Sequence, residues 1–216
     1  MRKTPLSSIF ALCLLLACLP SLEALDYLDI HGGLLYLGNS EPESAPSPLL
    51  PVLGASIPVK PRFLEGSHFA LEAGLLLFGT TYQYQNRRAT PAELEHRDFW
   101  VQGVLLDARI GLDWQLIPDL RLGLKAGPAL LLRVPVPLFA DAGEDFGPTL
   151  GYLYGTLRFF YPEAELFAGY RILKDFELKL SLRACFPLFH LWDGEGLPFY
   201  DQLMIAGLLG VVYTLP

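Results

Sequence analysis

The chain has 216 residues, a hydrophobic fraction of 52% and a formal net charge of −7 at pH 7. This length and apolar content predict one compact domain. The acidic balance gives no support to nucleic-acid binding, which needs a basic face, so no nucleic-acid partner is expected.

The chain begins with a segment that is typical of an export signal. Arg2 and Lys3 precede an apolar stretch over residues 9–19, and polar residues follow it. The sequence therefore predicts a signal peptide over residues 1–24. The alternative is a lipobox that ends at Cys18, which would lipidate that cysteine instead.

Cleavage of the signal would leave a mature chain of residues 25–216 with Cys185 as its single cysteine. Neither an intramolecular disulfide nor a cysteine-based metal site is then expected. The mature chain has no apolar run near the roughly 20 residues of a transmembrane helix.

Long segments of the mature chain alternate between apolar and polar residues. Over residues 121–138 the even positions are apolar and the odd positions include Lys125 and Arg133, and residues 177–192 alternate in the same way. A period of two predicts β-strands, because successive side chains leave opposite faces. Soluble strands usually have about 5–6 residues. Strands two to three times longer with one apolar face indicate strands that cross a membrane.

The sequence predicts eight such strands. The pattern is weakest in the first strand, at Gly32 and Gly33, and in the second, at Pro51 and Pro58. Residues 149–158 are an alternative extension of the sixth strand. The predicted spans are Leu25–Leu37, Leu50–Lys60, His68–Tyr82, Phe99–Leu116, Arg121–Leu138, Phe159–Leu173, Glu177–Trp192 and Gln202–Leu215.

The predicted connections alternate between short and long. Short periplasmic turns and long external loops are typical of outer-membrane barrels, and this order places both termini on the periplasmic side. The short connections are Pro61–Ser67, Ile117–Leu120 and Lys174–Phe176, and the long ones are Gly38–Leu49, Gln83–Asp98, Phe139–Arg158 and Asp193–Asp201.

The aromatic residues distinguish a membrane barrel from a soluble barrel or sandwich, whose apolar face would point inward. Trp100 and Trp114 share the apolar face of one predicted strand, about 46 Å apart along it at about 3.3 Å per residue. With a tilt near 45° the height is about 33 Å, close to a bilayer core of about 30 Å. The apolar face is therefore predicted to meet lipid between two aromatic belts. Tyr36, Trp100 and Trp192 form the outer belt, and Trp114, Tyr170 and Tyr213 form the inner one.

With these strands and belts, the mature chain resembles the small eight-stranded outer-membrane barrels, the group that contains OmpA, OmpX and OmpW. Residues 210–216 resemble the C-terminal insertion signal of such barrels, although Pro216 stands where an aromatic residue is common. The resemblance implies an all-β, antiparallel, up-and-down transmembrane barrel in the bacterial outer membrane, with its loops outside. It also implies contact with outer-membrane lipid and with the barrel-insertion machinery.

If the apolar face meets lipid, the other face lines a lumen that side chains or one small ligand can fill. Toward the periplasm this face is charged. Charges of both signs in a narrow space must pair, because their desolvation is costly. We expect a salt-bridge network that fills the lower barrel, with a gated or conducting pore as the alternative. The predicted members are Asp29, Glu72, Asp107, Arg109, Asp113, Lys125, Glu165, Arg171, Lys179 and Arg183.

The upper lumen is predicted to be apolar, with Arg133 as its one clear charge. An apolar cup suits a small hydrophobic ligand. The resemblance to OmpW, whose apolar interior is associated with uptake of such compounds, implies a binding or diffusion route. The alternative function is a structural or adhesive surface barrel with a closed, salt-bridged lumen. The predicted lining is Leu35, Leu76, Phe78, Phe99, Val101, Leu105, Leu131, Phe189, Met204 and Leu208.

Prolines near the outer rim allow two interpretations. Pro135 and Pro137 each remove a ladder donor from the fifth predicted strand. They either loosen the wall sideways, as in the lateral exit described for OmpW-like barrels, or mark the start of a loop after a strand that ends near Arg133.

The sequence offers no support for an enzyme, a cofactor or a metal site. His31 and His68 are predicted to face the lower lumen, and His96 lies in a loop between charged residues. His190 is predicted on the lipid face near the outer rim, but no serine shares that face nearby. The loops, including residues 39–48 and 86–88, have no recognisable ligand motif.

Overall fold

A computed structural model of the chain describes residues 26–39, 47–59, 69–82, 99–136, 150–151, 153–194, 196 and 198–215. Eight antiparallel strands form a closed barrel in chain order, and β8 pairs with β1. The predicted eight-stranded antiparallel barrel is therefore confirmed. The strands are β1 (Tyr27–Leu37), β2 (Leu49–Val59), β3 (Ala70–Tyr82), β4 (Phe99–Ile117), β5 (Leu120–Val136), β6 (Phe160–Leu173), β7 (Phe176–Cys185) and β8 (Met204–Thr214).

The two ends of the barrel differ. At one end, Pro118-Asp119 joins β4 to β5, Lys174-Asp175 joins β6 to β7, and the Leu215 amide donates to the Asp26 carbonyl oxygen at 2.9 Å. We call this the turn end. The connections between β5 and β6 and between β7 and β8 lie at the opposite end, which we call the loop end. Among the described helices, none is long and apolar enough to cross a membrane.

The seventh strand is shorter than predicted. It ends at Cys185, and a 3₁₀ turn over Leu188–Leu191 replaces the expected continuation to Trp192. Pro187 has no amide hydrogen to donate, so it removes a ladder donor just beyond Cys185. The proposed extension of the sixth strand over residues 149–158 is also wrong, because its described part forms helical turns that include Gly155–Leu157.

The fifth strand continues past Arg133, so the interpretation that it ends there is wrong. Pro135 pairs with Val101 and Val136 pairs with Trp100 on the β4 side. On the β6 side the ladder ends at Leu130 opposite Phe160. Beyond Leu130, β5 is therefore paired in the strand ladder with β4 but not with β6. Residues 137–138 of the prediction lie outside the described residues.

Side chains alternate between the two faces of the barrel wall as the sequence indicates. Outward positions expose large apolar side chains, whereas inward positions are buried. This is the reverse of a soluble barrel, and it matches a wall that meets lipid. Outward residues with at least 47% exposure include Ile30, Leu34, Leu53, Ile110, Leu124, Leu166, Leu180, Leu182 and Leu209.

Candidate functional site

Arg109 lies at the centre of a charged layer in the turn-end half of the lumen. Its Nη2 is 2.7 Å from Glu72 Oε1, and its Nε is 2.8 Å from Asp107 Oδ1 and 3.3 Å from Glu163 Oε1. Its Nη1 contacts Glu165 Oε2. One guanidinium therefore joins carboxylates from β3, β4 and β6, a geometry that its planar fork of donors suits.

Three further cations complete the charged layer. Arg183 Nη1 is 3.1 Å from Asp107 Oδ2, and Lys179 Nζ is 2.8 Å from both Asp29 Oδ2 and Glu165 Oε1. Lys125 contacts Glu72. Each cation thus neutralises buried carboxylates that would otherwise be costly to remove from water.

The charged layer closes the lumen. Arg109 and Glu165 have 0% exposure, and Arg183 and Glu72 have 1%. Side chains this buried border no space that could hold a water molecule. A continuous aqueous path through the charged layer is therefore absent along these described residues.

Inward glycines make room for these large side chains. A Cβ atom at Gly74 would lie 2.3 Å from Asp107 Oδ1 and 2.8 Å from Arg109 Nη2. At Gly123 it would lie 2.3 Å from the Phe167 ring. The glycines therefore act as spaces on the inner wall into which neighbouring side chains fit.

Phe167 is an apolar member of the charged layer that the sequence patterns did not identify. Lys125 Nζ, Lys179 Nζ and Arg121 Cζ lie 4.8, 5.1 and 5.2 Å from its ring centroid. Such distances allow cation–π attraction. Glu163 also belongs to the layer, and its inward parity on β6 was the available signal.

Two of the predicted charged residues lie outside the charged layer. Asp113 pairs with Arg121 at 3.2 Å at the turn end, where both are partly exposed, and Arg171 is exposed. Arg121 also pairs with Glu177 at 2.7 Å. These residues line a cavity of about 530 Å³ that opens at the turn end. The lumen is thus accessible as far as this vestibule and filled beyond it.

A packed apolar layer lies between the charged layer and the loop end. Leu76, Leu105, Met204 and Leu208 have 1% exposure and Phe189 has 0%. These side chains therefore contact neighbouring side chains rather than open space. The cluster comprises Leu35, Val52, Leu76, Phe78, Leu105, Ala129, Leu131, Tyr161, Cys185, Phe189, Met204, Ala206 and Leu208.

The predicted apolar lining and this layer overlap closely. Val101 is buried at 1% exposure, although it lies outside the cluster. The Phe99 side chain lies outside the described residues. The sequence patterns passed over Val52, Ala129 and Ala206, whose inward parity was visible but whose side chains are small. Tyr161 and Cys185 were also missed.

The loop end is closed by two segments, residues 153–159 and the described residues between 186 and 203, which we call the lid. Phe189 enters the apolar layer from the lid and meets Tyr161 edge-on, with ring centroids 5.6 Å apart. The Trp192 indole donates to the Thr156 carbonyl oxygen at 2.7 Å. The two lid segments are therefore fastened to each other and to the barrel.

Tyr154 of the lid forms hydrogen bonds to the part of β5 that lies beyond its last β6 partner. Its hydroxyl donates to the Arg133 carbonyl oxygen at 2.8 Å and accepts from the Arg133 amide at 3.0 Å. The Arg133 guanidinium donates to the carbonyl oxygens of Leu153, at 2.6 Å, and Arg158, at 2.9 Å. Arg133 thus points inward as predicted, and its guanidinium binds carbonyl oxygens of the lid.

His190 is not on the lipid face, which corrects the prediction. The early end of β7 turns it into the lid, where its Nδ1 is 3.0 Å from Asp193 Oδ2 and its Nε2 is 3.0 Å from the Asp201 carbonyl oxygen. Both ring nitrogens are therefore occupied, so neither is free to act as a catalytic base. Among the described residues no group of three or more His, Cys, Asp and Glu side chains could hold a metal ion.

The predicted belt residues lie on the outside of the barrel. Trp114, Tyr170, Trp192 and Tyr36 are 42–53% exposed, and Trp100 and Tyr213 are half-buried. The Trp100 ring lies over Gly79, where a Cβ atom would come within 2.2 Å of it. Trp192 reaches the outside from the lid instead of from a strand.

The closed eight-stranded wall with an apolar outside and a filled inside decides the class of fold. The fold is that of the small outer-membrane β-barrels. Neisserial surface protein A has a similar structure, with a TM-score of 0.54 and 10% sequence identity over 88% of this chain and 96% of that protein. No protein-family model matches the chain, and no curated protein matches its sequence.

Two further solved barrels resemble this chain more distantly. Ail, the attachment invasion locus protein of Yersinia pestis, solved with the heparin analogue sucrose octasulfate, has a TM-score of 0.48 and 7% identity over 88% of this chain and 97% of Ail. A de novo designed transmembrane β-barrel has a TM-score of 0.39 and 13% identity over 88% of this chain and 96% of the design. These likenesses give no support specific to OmpW, so that resemblance stays an expectation.

Proposed function

We propose that the chain is a bacterial outer-membrane surface protein with a closed lumen, which holds its loop end as a rigid contact surface outside the cell. The observation that carries this proposal is the filling of the lumen by two successive layers. A charged layer around Arg109 is followed by an apolar layer around Leu105, and both are almost fully buried. A filled barrel of this width supports loops and leaves no channel.

The outside of the barrel supports the membrane placement. Its exposed leucines and the aromatic residues at both ends suit a hydrocarbon core with an interface on each side. The solved relative of similar fold is named a surface protein. We extend that location, and no specific activity, to this chain, with the loop end outside and the turn end in the periplasm.

A second candidate is passage of small hydrophobic molecules, as the resemblance to OmpW implies. The observation in its favour is the seam between β5 and β6, where β5 continues to Val136 beyond its last β6 partner. The Tyr154 hydroxyl covers part of this seam. A molecule released sideways here would need the lid to move and the packed apolar layer to open.

Reconstitution distinguishes the two candidates. The folded barrel is placed in lipid bilayers, and both ion conductance and entry of small fluorescent hydrophobic compounds into vesicles are measured. We expect neither from the unmodified chain. A double variant, Arg109→Ser with Glu165→Ser, removes the central guanidinium and one of its carboxylates, and its ion conductance should rise because water can enter the charged layer. Uptake of hydrophobic compounds by the unmodified chain, above that of empty vesicles, would reverse the choice in favour of the second candidate.

A further inference from the structure

We propose that Glu163 holds a proton in the folded barrel near neutral pH, and that this proton makes the charged layer electrically neutral. The proposal goes beyond the proposed function, because it concerns the charged layer whether the barrel is a surface frame or a passage. Its basis is the number of charges in that layer.

Acids outnumber cations in the charged layer. Its described members are the cations Arg109, Lys125, Lys179 and Arg183 and the acids Asp29, Glu72, Asp107, Glu163 and Glu165. If every acid were ionised, one negative charge among these described residues would lack a counter-charge. The acids are at most 6% exposed. An uncompensated charge at such depth is costly enough that a group usually gains a proton instead.

His31 is a neighbouring base that could take this proton in place of an acid. Its Nδ1 is 3.3 Å from Asp29 Oδ1, and a neutral ring that donates from Nδ1 satisfies this contact. Its Nε2 is buried without a hydrogen-bond partner. A second ring proton would therefore be a buried donor without an acceptor, which is expensive to leave unpaired. The geometry thus places the proton on one of the acids.

Glu163 has the longest contacts to cations among the five acids. Its Oε1 is 3.3 Å from Arg109 Nε, and its Oε2 is 4.0 Å from Arg183 Nη1. Each of the other four acids has a guanidinium or ammonium nitrogen within 2.8 Å. Attraction between opposite charges decreases with distance, so a proton on Glu163 gives up the least of it.

The groups that face Glu163 from β4 and β7 favour its neutral form. From β4, Asp107 lies 2.8 Å from the same Arg109 Nε and 3.1 Å from the same Arg183 Nη1. Two carboxylates at one site repel each other, which favours a proton on one of them. From β7, the thiol of Cys185, a member of the apolar layer, lies 3.5 Å from Glu163 Oε2.

The two remaining neighbouring strand segments supply no further cation to Glu163. From β5, Gly127 is opposite Glu163, and Lys125 contacts Glu72 instead. On β6 itself, Glu165 is a second acid on the same face. Glu163 therefore lies between other acids and the apolar layer, where a neutral carboxyl group is favoured over an ionised one.

The hydrogen bonds also have room for this proton. Glu163 Oε1 and Asp107 Oδ1 are buried without hydrogen-bond partners, and both lie beside Arg109 Nε. A carboxylate only accepts hydrogen bonds, whereas a carboxylic acid also donates one. A proton on Glu163 thus supplies a donor in a place where two acceptor atoms lack one.

The proton makes the stability of the charged layer depend on pH. In the unfolded chain a glutamate is ionised above about pH 5. Unfolding then releases the proton of Glu163, so through this group each rise of one pH unit favours the unfolded state by about tenfold. This contribution to stability is complete in acid and is lost as the pH rises. The ionised acids of the layer respond in the opposite direction, so a variant is needed to isolate the effect of Glu163.

The direct test is infrared spectroscopy of the full chain, folded in lipid vesicles in D₂O near neutral pH. Carboxylic acids and carboxylates absorb at different frequencies, and ¹³C-labelled glutamate separates the protein bands from the lipid esters. We expect one glutamic acid band, which Glu163→Gln should abolish. The matched control is Glu177→Gln in the turn-end vestibule, which should retain the band. Absence of the band from the unmodified chain would overturn the proposal even if the variant does not fold, and so would its persistence in Glu163→Gln.

Urea titration in vesicles tests the pH dependence. Glutamine keeps the size of the protonated side chain but has no proton to release. Between about pH 5 and pH 7, the unfolding equilibrium constant of the unmodified chain, divided by that of Glu163→Gln, should rise by up to about tenfold per pH unit. The same ratio for Glu177→Gln should show no such rise. A ratio for Glu163→Gln that is constant or falls over this range would refute the presence of the proton.

Discussion

The charged layer and the apolar layer fill the same barrel by different physical means. In the charged layer, four cations and their carboxylates are held by directional contacts, such as the hydrogen bonds of Arg109 to Glu72 and Glu165. In the apolar layer, Leu105 and its neighbours are held by contact area and shape. The first layer therefore depends on every partner being present, whereas the second depends on volume. Substitutions in each layer can test this difference.

The largest effect is expected when the centre of the charged layer is removed. Arg109→Ala should lower the free energy of unfolding by about 3–5 kcal/mol, because it removes the cation that Glu72, Asp107 and Glu165 share and leaves a buried negative charge uncompensated. Urea titration of the barrel in lipid vesicles measures this loss. The matched control is Arg121→Ala at the exposed turn end, where loss of the pairs with Asp113 and Glu177 should cost about 0–1 kcal/mol. Equal losses in the two variants would contradict the claim that burial makes the difference.

A cavity in the apolar layer should have a similar but more variable effect. Leu105→Ala removes buried methyl groups and should cost about 2–5 kcal/mol, depending on how far the cluster can collapse into the space. Leu105→Met keeps most of the volume and should cost less than about 1.5 kcal/mol. The same urea titration measures both variants. If Leu105→Met were as damaging as Leu105→Ala, shape and volume would not be what holds this layer.

The smallest expected effect is that of filling the space that an inward glycine leaves in the barrel wall. Gly74→Ala places a Cβ atom against the Asp107 carboxylate and Arg109, and displacing them should cost about 1–3 kcal/mol, as overpacking of a filled interior usually does. Gly207→Ala is the control, because a Cβ atom there meets nothing within 4 Å. Its stability should change by less than about 0.5 kcal/mol. Similar urea midpoints for both variants would show that the charged layer adapts easily.

The orientation of most side chains in the barrel wall could be predicted, because successive side chains of a β-strand alternate between its two faces. Alternation along β5 and β7 predicted which side chains enter the lumen, and Arg109, Lys179 and Leu105 all point inward. Strand bounds agree within about two residues except at the end of β7. The inward parity of Phe167 and of the glycines was equally visible. Their role was not, because it depends on which side chains face them from other strands.

The lid could not be predicted from the same period. Phe189 does point into the apolar layer, but it enters from a 3₁₀ turn rather than from a strand. His190 and Trp192 were expected on one lipid-facing strand and instead contact Asp193 and Thr156 within the lid. After Pro187 the ladder no longer sets the direction of the side chains, and contacts between distant residues set it instead.

The sequence by itself determined that this chain forms eight long strands with an apolar outside and a lumen that is charged toward one end and apolar toward the other. The reason is local: side chains alternate along every strand, whatever its neighbours are. Only the tertiary structure decided that both layers are packed and that the loop end is closed. Barrel closure fixes how far apart opposite walls lie, and the lid joins residues that are distant in the chain, such as Thr156 and Trp192. Those distances, and the partners they bring to Arg109 and His190, have no counterpart in any local pattern.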